Sequence, residues 1–236
     1  MSNHTGTLNR ENPKPDTTAS SLSTLHHIWD SLLQKHVSTD GVVNYKGFQA
    51  DLDRLDRYLN ALAEQVPQSY HSREDKLAYW INVYNAYTVK LILNHYPVKS
   101  IKDIKNPWKQ HFFKLGGKSF NLDDVEHRIL RKMDEPRIHF AIVCASFSCP
   151  KLQNHAFTAQ DIEKQLTQAT EDFLKDAQKN RFSENSAEIS LIFKWFAKDF
   201  KKNGSIIDFL NQYLDTPIKE NSKVSFLPYD WDLNGK

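Results

Sequence analysis

The residues best suited to chemistry in this chain fall in two short stretches. One runs from Ile138 to Leu152 and holds both cysteines, Cys144 and Cys149, with His139 near its start. A thiolate is a strong nucleophile and an imidazole is a base near neutral pH, so this trio points to thiol-dependent chemistry. The other runs from Asp123 to His127. Wound at about 100° per residue, a helix there puts Leu122, Val125, Ile129, Leu130 and Met133 on one face, with Glu126 among them. A carboxylate on an apolar face must be paired, neutralised or functional. Glu126 is therefore expected to be buried, with an Arg, His or Asn as its donor. On that basis Glu126→Ala should cost roughly 3–5 kcal/mol, the loss typical of a broken buried pair. The competing reading is a purely structural pair, for example with Arg137. His127 and Asp123, four residues apart, lie together on the flank where they can hydrogen-bond.

Ile138 to Cys144 reads as a short strand, apolar except for one imidazole. A direct Cys144–His139 dyad then fails. Residues of opposite parity face opposite sides of a strand, and these two sit roughly 16 Å apart along it. His127 is the better base. Cys149 precedes Pro150 in a turn and is expected to set loop shape, so Cys144 is the expected reactive thiol. The two thiols could also pair with each other. Neither spacing is C-x-x-C, so no zinc site is expected, and no G-x-S-x-G elbow occurs. The resulting catalytic candidates are Cys144, His127, Glu126 and His139. Asn82 and Asn85, three apart on one helix, either satisfy buried backbone groups or hold a substrate or oxyanion. With Trp80, Ser148 and Cys149 they form the substrate-binding candidates.

These residues need elements to position them. Residues 1–20 are polar and aperiodic and read as a disordered tail, with one globular domain over 21–236. Leu22, Leu25, Ile28, Trp29, Leu32 and Leu33 recur at helix spacing, and Leu52, Leu55, Leu59 and Leu62 mark a second helix. A third, from about Glu74 to Asn94, is apolar over most of its circumference, which marks a central helix packed on several sides. Ser72 and Asp75 can cap it. Gly116-Gly117 is a hairpin turn, and Asn121 caps the helix that carries Glu126. A helix over about 158–178, a strand at Ile189–Phe193, a helix at Ser205–Leu214 and a last strand at Val224–Leu227 complete an α+β, helix-rich chain. Its buried central helix is expected to pack on a small, mainly antiparallel sheet.

Bulk composition removes several function classes. Thirty-one basic and 29 acidic residues leave a formal charge of +2, so no global field favours nucleic acid or a membrane surface. Only seven glycines occur, and neither P-loop nor dinucleotide spacing is present, so no nucleotide cofactor is expected. No apolar run reaches the ~20 residues of a membrane span, and the N-terminus lacks an apolar signal core. The expectation is a cytoplasmic protein, or a periplasmic or secreted one whose leader was removed.

At these same residues the chain resembles the domain of unknown function 547 family. The shared features are Leu77–Ala86 (LAYWINVYNA), Tyr96–Ile101 (YPVKSI), Leu122–His127 (LDDVEH) and His139–Pro150 (HFAIVCASFSCP). Phe193–Trp195, Asp199-Phe200 and Tyr229–Asn234 complete a resemblance over about residues 40–234. The family's activity is not established. Some relatives join the domain to a glutaredoxin-like module, which implies thiol or glutathione chemistry. A weaker likeness to papain and transglutaminase rests on a buried central helix followed by a strand opening with His. The cysteine those enzymes carry at the start of that helix is missing here, where the chain reads Ser72-Arg-Glu-Asp-Lys-Leu. Two functions compete. One is a thiol-dependent hydrolase or transferase acting on a small peptide, amide or glutathione-like substrate. The other is a non-catalytic module that binds a small-molecule or peptide ligand.

Overall fold

The computed structural model describes Leu22 and residues 24–235. The expected tail over 1–20 lies outside them. Helices α1 (His27–His36), α2 (Tyr45–Ala50) and α3 (Leu52–Glu64) lead into the central helix α4 (Arg73–His95). The capping box is as the sequence suggests. Ser72 Oγ accepts from the Asp75 backbone, and the Asp75 carboxylate accepts from the Ser72 backbone. From Leu77 to Val89 every residue of α4 is buried. Burial on all sides explains its lack of a polar face.

Helices surround α4 on most sides, and a hairpin covers another. Strands β1 (Phe113–Leu115) and β2 (Lys118–Phe120) pair antiparallel. They turn through Gly116 and Gly117, both at positive φ (54° and 78°), the conformation a two-residue hairpin loop requires. Phe113 stacks on Tyr87 at 3.9 Å, and Phe120 packs on Trp80 at 5.9 Å. A second apolar cluster is rich in phenylalanine and gathers Phe140, Phe173, Phe193, Phe200 and Phe209. It is built by α5 (Ile162–Lys175), α6 (Ile192–Trp195), α7 (Ala197–Phe200) and α8 (Ile206–Asn211). A three-stranded sheet joins them: β3 (Arg181–Ser183) antiparallel to β4 (Ser186–Ile189), and β4 parallel to β5 (Lys223–Phe226). The fold class is α+β. No helix among the described residues is long and apolar enough to cross a membrane.

Two expected strands are replaced. The one at Ile189–Phe193 ends at Ile189, and Ile192–Trp195 is helix α6. Residues 138–144 do not form a strand. Pro136–Phe140 is a 3-10 helix, with Pro136 at its start and the Glu135 carboxylate capping the Arg137 backbone amide. The apolar run has a different cause. Ile138 belongs to the first core and Phe140 to the second, both fully buried, so the segment is covered on every side. Continuous burial erases the periodicity that separates a strand from a helix. The strand behind the papain likeness is therefore absent, and the parity objection to His139 no longer applies.

Residues 229–235 run back across the first core as an extended strap. Leu233 N–H donates to Lys99 O, Asn234 N–H to Ala145 O, and Val43 N–H to Asn234 O. Phe147 and Ser148 donate to the Asp232 and Asp230 carbonyls.

Candidate functional site

A cleft of about 240 Å³ opens between the two cores. Three different pieces of chain build its polar side. The first is the helical segment capped by Asn121, whose side chain accepts from the Asp124 amide. From Asp124 to Ile129 this segment widens into a π-helical turn. Such turns recur at functional sites. It carries Glu126, His127 and, on its flank, Asp123 into the cleft.

Glu126 is buried, as expected, but its donor is neither Arg, His nor Asn. The Tyr84 hydroxyl donates to Glu126 Oε2 at 3.3 Å. Arg137 is engaged elsewhere, with Glu135 at 2.6 Å and Glu163 at 2.7 Å. With no buried ion pair to break, the 3–5 kcal/mol expectation for Glu126→Ala loses its basis. Burial pushes the Glu126 carboxyl up to about 7, against a smaller downward pull from the Tyr84 hydrogen bond. The neighbouring Asp123 carboxylate adds to the rise, and Arg131 opposes it. At neutral pH this group can therefore donate or accept a proton.

His127 lies 3.7 Å from Asp123 Oδ1, near enough for charge attraction but too far for a hydrogen bond. Its Nδ1 is 3.0 Å from Arg131 Nη1, a group that only donates, so Nδ1 carries no proton. Partial burial lowers its pKa; Asp123 opposes and Arg131 adds to the effect. The ring is a neutral base. Arg131 also grips Asp199 with two hydrogen bonds, Nε at 2.6 Å and Nη2 at 2.9 Å. The same carboxylate accepts from His139 Nε2 at 2.8 Å. His139 stacks on Phe196 at 3.9 Å, which fixes its ring plane. Burial lowers the His139 pKa, and the Asp199 hydrogen bond opposes that shift. Burial alone would raise the Asp199 pKa, but His139 and Arg131 outweigh it and hold the carboxylate well below its usual range.

Asp199 joins α7 to this cluster, and its removal has a readable cost. Asp199→Ala should lower stability by about 2 kcal/mol. Two charge-assisted bonds to Arg131 and one to His139 disappear, discounted because the site is partly solvated. Urea unfolding at pH 7 measures it, and a loss below about 0.5 kcal/mol would contradict the geometry.

The second piece is the segment after Phe140. Cys144 and Cys149 form a disulfide, with Cα atoms 6.3 Å apart, and no free cysteine remains among the described residues. Cys144 in its disulfide is therefore not a nucleophile, because attack needs a free thiolate. Both residues line the cleft beside Glu126, His127 and His139. Ala145, between them, has φ 62°, a left-handed conformation that costs an alanine energy and shapes the loop. The third piece is the strap, which brings Tyr229 and Trp231. Together with Trp108, Trp195 and Phe196 they make the walls largely aromatic. Tyr229 and Trp231 pack 4.6 Å apart, and Trp195 closes on Tyr229 at 4.8 Å.

Four expected substrate contacts lie elsewhere. The Asn82 amide donates to Phe157 O at 2.7 Å, and its carbonyl accepts from Phe157 N at 3.1 Å. Asn85 does the same for Ala141 O and Val143 N, each at 2.9 Å. Both side chains are buried and committed to backbone, so neither can hold a substrate. Trp80 packs edge-on against Tyr79 and over Phe120, beneath the hairpin. Ser148 Oγ accepts from the Asp230 amide at 2.8 Å and ties the strap down. Cys149 alone of that group faces the cleft.

Tyr84, Arg131, Asp199 and Tyr229 were not among the sequence candidates. Asp199 and Tyr229 stand in the quoted motifs, and Tyr84 lies on the apolar stripe of α4, but only packing reveals their partners. No curated protein and no solved structure shows a significant match to the chain. A family model matches residues 67–174, a shorter span than the resemblance of motifs, so Asp199 and Tyr229 fall beyond it. That segment contains α4, the Glu126–His127 turn and both cysteines, and over it the chain is similar to the family described as protein of unknown function, DUF547.

Proposed function

We propose that this cleft binds a small molecule or a peptide segment between its aromatic walls, and that Glu126 exchanges a proton with it. The observation that carries the reading is a buried carboxyl pushed up to about 7 at the base of an aromatic cleft. Structural carboxylates are usually kept ionised by a cationic partner. Glu126 is instead hydrogen-bonded by a neutral phenol. The Asp199–His139 pair supplies a second oriented base in the same cleft.

A thiol-dependent hydrolase or transferase is the second reading. It is favoured by the presence of both sulfurs in the same cleft as two neutral imidazoles. It requires the bond between Cys144 and Cys149 to be reduced first, after which His127 or His139 would serve as base. Substrates of that activity would be small peptides, amides or glutathione-like compounds.

Three of the five tryptophans line the cleft, so intrinsic emission reports occupancy. N-acetyl dipeptide amides and glutathione, titrated at pH 6 and pH 8, should give saturable quenching. Trp195→Ala, at the half-exposed rim, should weaken it by about tenfold, the effect of losing one aromatic contact. Absence of saturable quenching by any of these probes at either pH would count against the cleft as a peptide-like binding site. Release of amine only after reduction would favour the second reading.

A further inference from the structure

We propose that Cys144 and Cys149 are a reversible redox pair that exchanges with small monothiols entering the cleft, Cys144 being the sulfur attacked and Cys149 the sulfur that leaves. The proposal does not rest on the ligand reading above. It rests on where the two sulfurs lie and on what surrounds each.

The two sides of this bond are unequal. Cys144 is half-buried, whereas Cys149 is 4% exposed, so an incoming thiolate meets Cys144 first. Donors favour the other sulfur. The Cys144 backbone N–H donates to Cys149 Sγ at 3.1 Å, and the Tyr229 hydroxyl donates to it at 3.2 Å. Ser146 Oγ lies 3.3 Å from Cys149 Sγ and 3.1 Å from the Tyr229 oxygen, so it can support either. A fixed N–H and a positioned phenol stabilise a sulfur that acquires negative charge. Among the described residues Cys144 Sγ has no backbone donor of this kind; its polar neighbours are the Ser146 hydroxyl at 3.1 Å and the Tyr229 hydroxyl at 3.5 Å.

The bond also contributes little as a staple. It closes a loop of only five residues' separation, and short loops gain least from a cross-link. That loop is held independently. Ser146 bridges to Leu233, and Phe147 N–H donates to Asp232 O at 2.7 Å. Reduction would leave the loop in place and ready to re-form the bond.

The exchange balances with two thiols. A thiolate RS⁻ attacks Cys144 Sγ and forms an R–S–Sγ bond. The Sγ–Sγ bond breaks, its electron pair goes to Cys149, and the resulting thiolate takes up the proton the first thiol released. A second thiol attacks the R sulfur of the mixed disulfide. Cys144 leaves and is protonated, and RSSR departs. Two monothiols are oxidised to one disulfide while the protein disulfide is reduced.

The test uses the full chain and 2-mercaptoethanol. Reaction is stopped with acid at intervals, free thiols are blocked with N-ethylmaleimide, and peptides are mapped by mass. The native disulfide should be reduced at least as fast as that of the urea-unfolded chain, and the trapped mixed disulfide should sit on Cys144. Tyr229→Phe, which keeps the ring packing, should slow the native reaction about tenfold, the effect of one charged hydrogen bond, without changing the unfolded rate. A native bond that resists until the chain unfolds would overturn the proposal. A mixed disulfide on Cys149, or a Tyr229→Phe rate equal to the wild type, would overturn the assignment of roles.

Discussion

Asn85→Ala should destabilise the fold by about 2–6 kcal/mol. The substitution deletes the partner of two buried backbone groups, the Ala141 carbonyl and the Val143 amide. Each unsatisfied group costs about 1–3 kcal/mol. No replacement is at hand, because Asn85 is 3% exposed and water does not reach it. The amide acts as a two-pronged clamp. A helix must spend its own backbone bonds internally, so it can hold an irregular neighbour only through side chains. Asn82 clamps Phe157 in the same way one turn earlier. The consequences differ, because residues 141–143 lead directly into Cys144. Asn85→Ala should therefore also disturb the tryptophans of the cleft, whereas Asn82→Ala should leave their emission unchanged. Urea unfolding and emission spectra read both effects. A cost under about 1 kcal/mol for Asn85→Ala would mean that the clamp carries no load.

Glu126 gives the second large effect, and it depends on pH. Its folded pKa of about 7 lies above the ordinary value of 4.5. Below pH 4.5 the carboxyl is protonated in both states and contributes no difference. Between pH 4.5 and 7 the unfolded chain releases the proton and the folded chain retains it, so stability falls as pH rises. Above pH 7 the loss is complete, at about 3 kcal/mol for a shift of this size. Glu126→Gln keeps the shape and can still accept from Tyr84, but it has no proton to lose. Relative to the wild type, its stability should climb by about 2–3 kcal/mol between pH 5 and pH 8. Paired urea titrations at those two pH values measure the difference. A constant gap would show that Glu126 titrates like an exposed carboxylate.

The sequence makes local features readable and long-range partnerships obscure. The central helix is legible because Ser72, Asp75 and an all-round apolar pattern are properties of one continuous segment. The burial of Glu126 is legible for the same reason, since its own helix supplies the apolar neighbours. Its donor is not, because Tyr84 lies 42 residues earlier and only packing brings it near. Asn82 and Asn85 plainly required tertiary partners, but backbone groups of residues 141, 143 and 157 carry no signature in side-chain types. The Ile138–Cys144 segment misleads for a physical reason. Two cores enclose it, so no face is left polar to reveal its winding. Asp199 could not be matched to His139 and Arg131 by spacing, because the three come from separate elements.

The strap over residues 229–235 sets the order in which the cleft comes into being. Tyr45 donates its hydroxyl to Asn234 across 189 residues of sequence, and Ser146 meets Tyr229 across 83. On the ribosome, helices α1 to α4 and the hairpin can consolidate from contacts already synthesised. The aromatic wall cannot, because Tyr229 and Trp231 emerge only after the helices and strands described above. Closing such long loops is slow relative to forming local helices. An early-folding state would hold a packed helical core with the cysteine loop exposed and unstrapped. Nascent chains are therefore most open to thiol reagents before the strap arrives, and the cleft becomes competent only once the strap has docked.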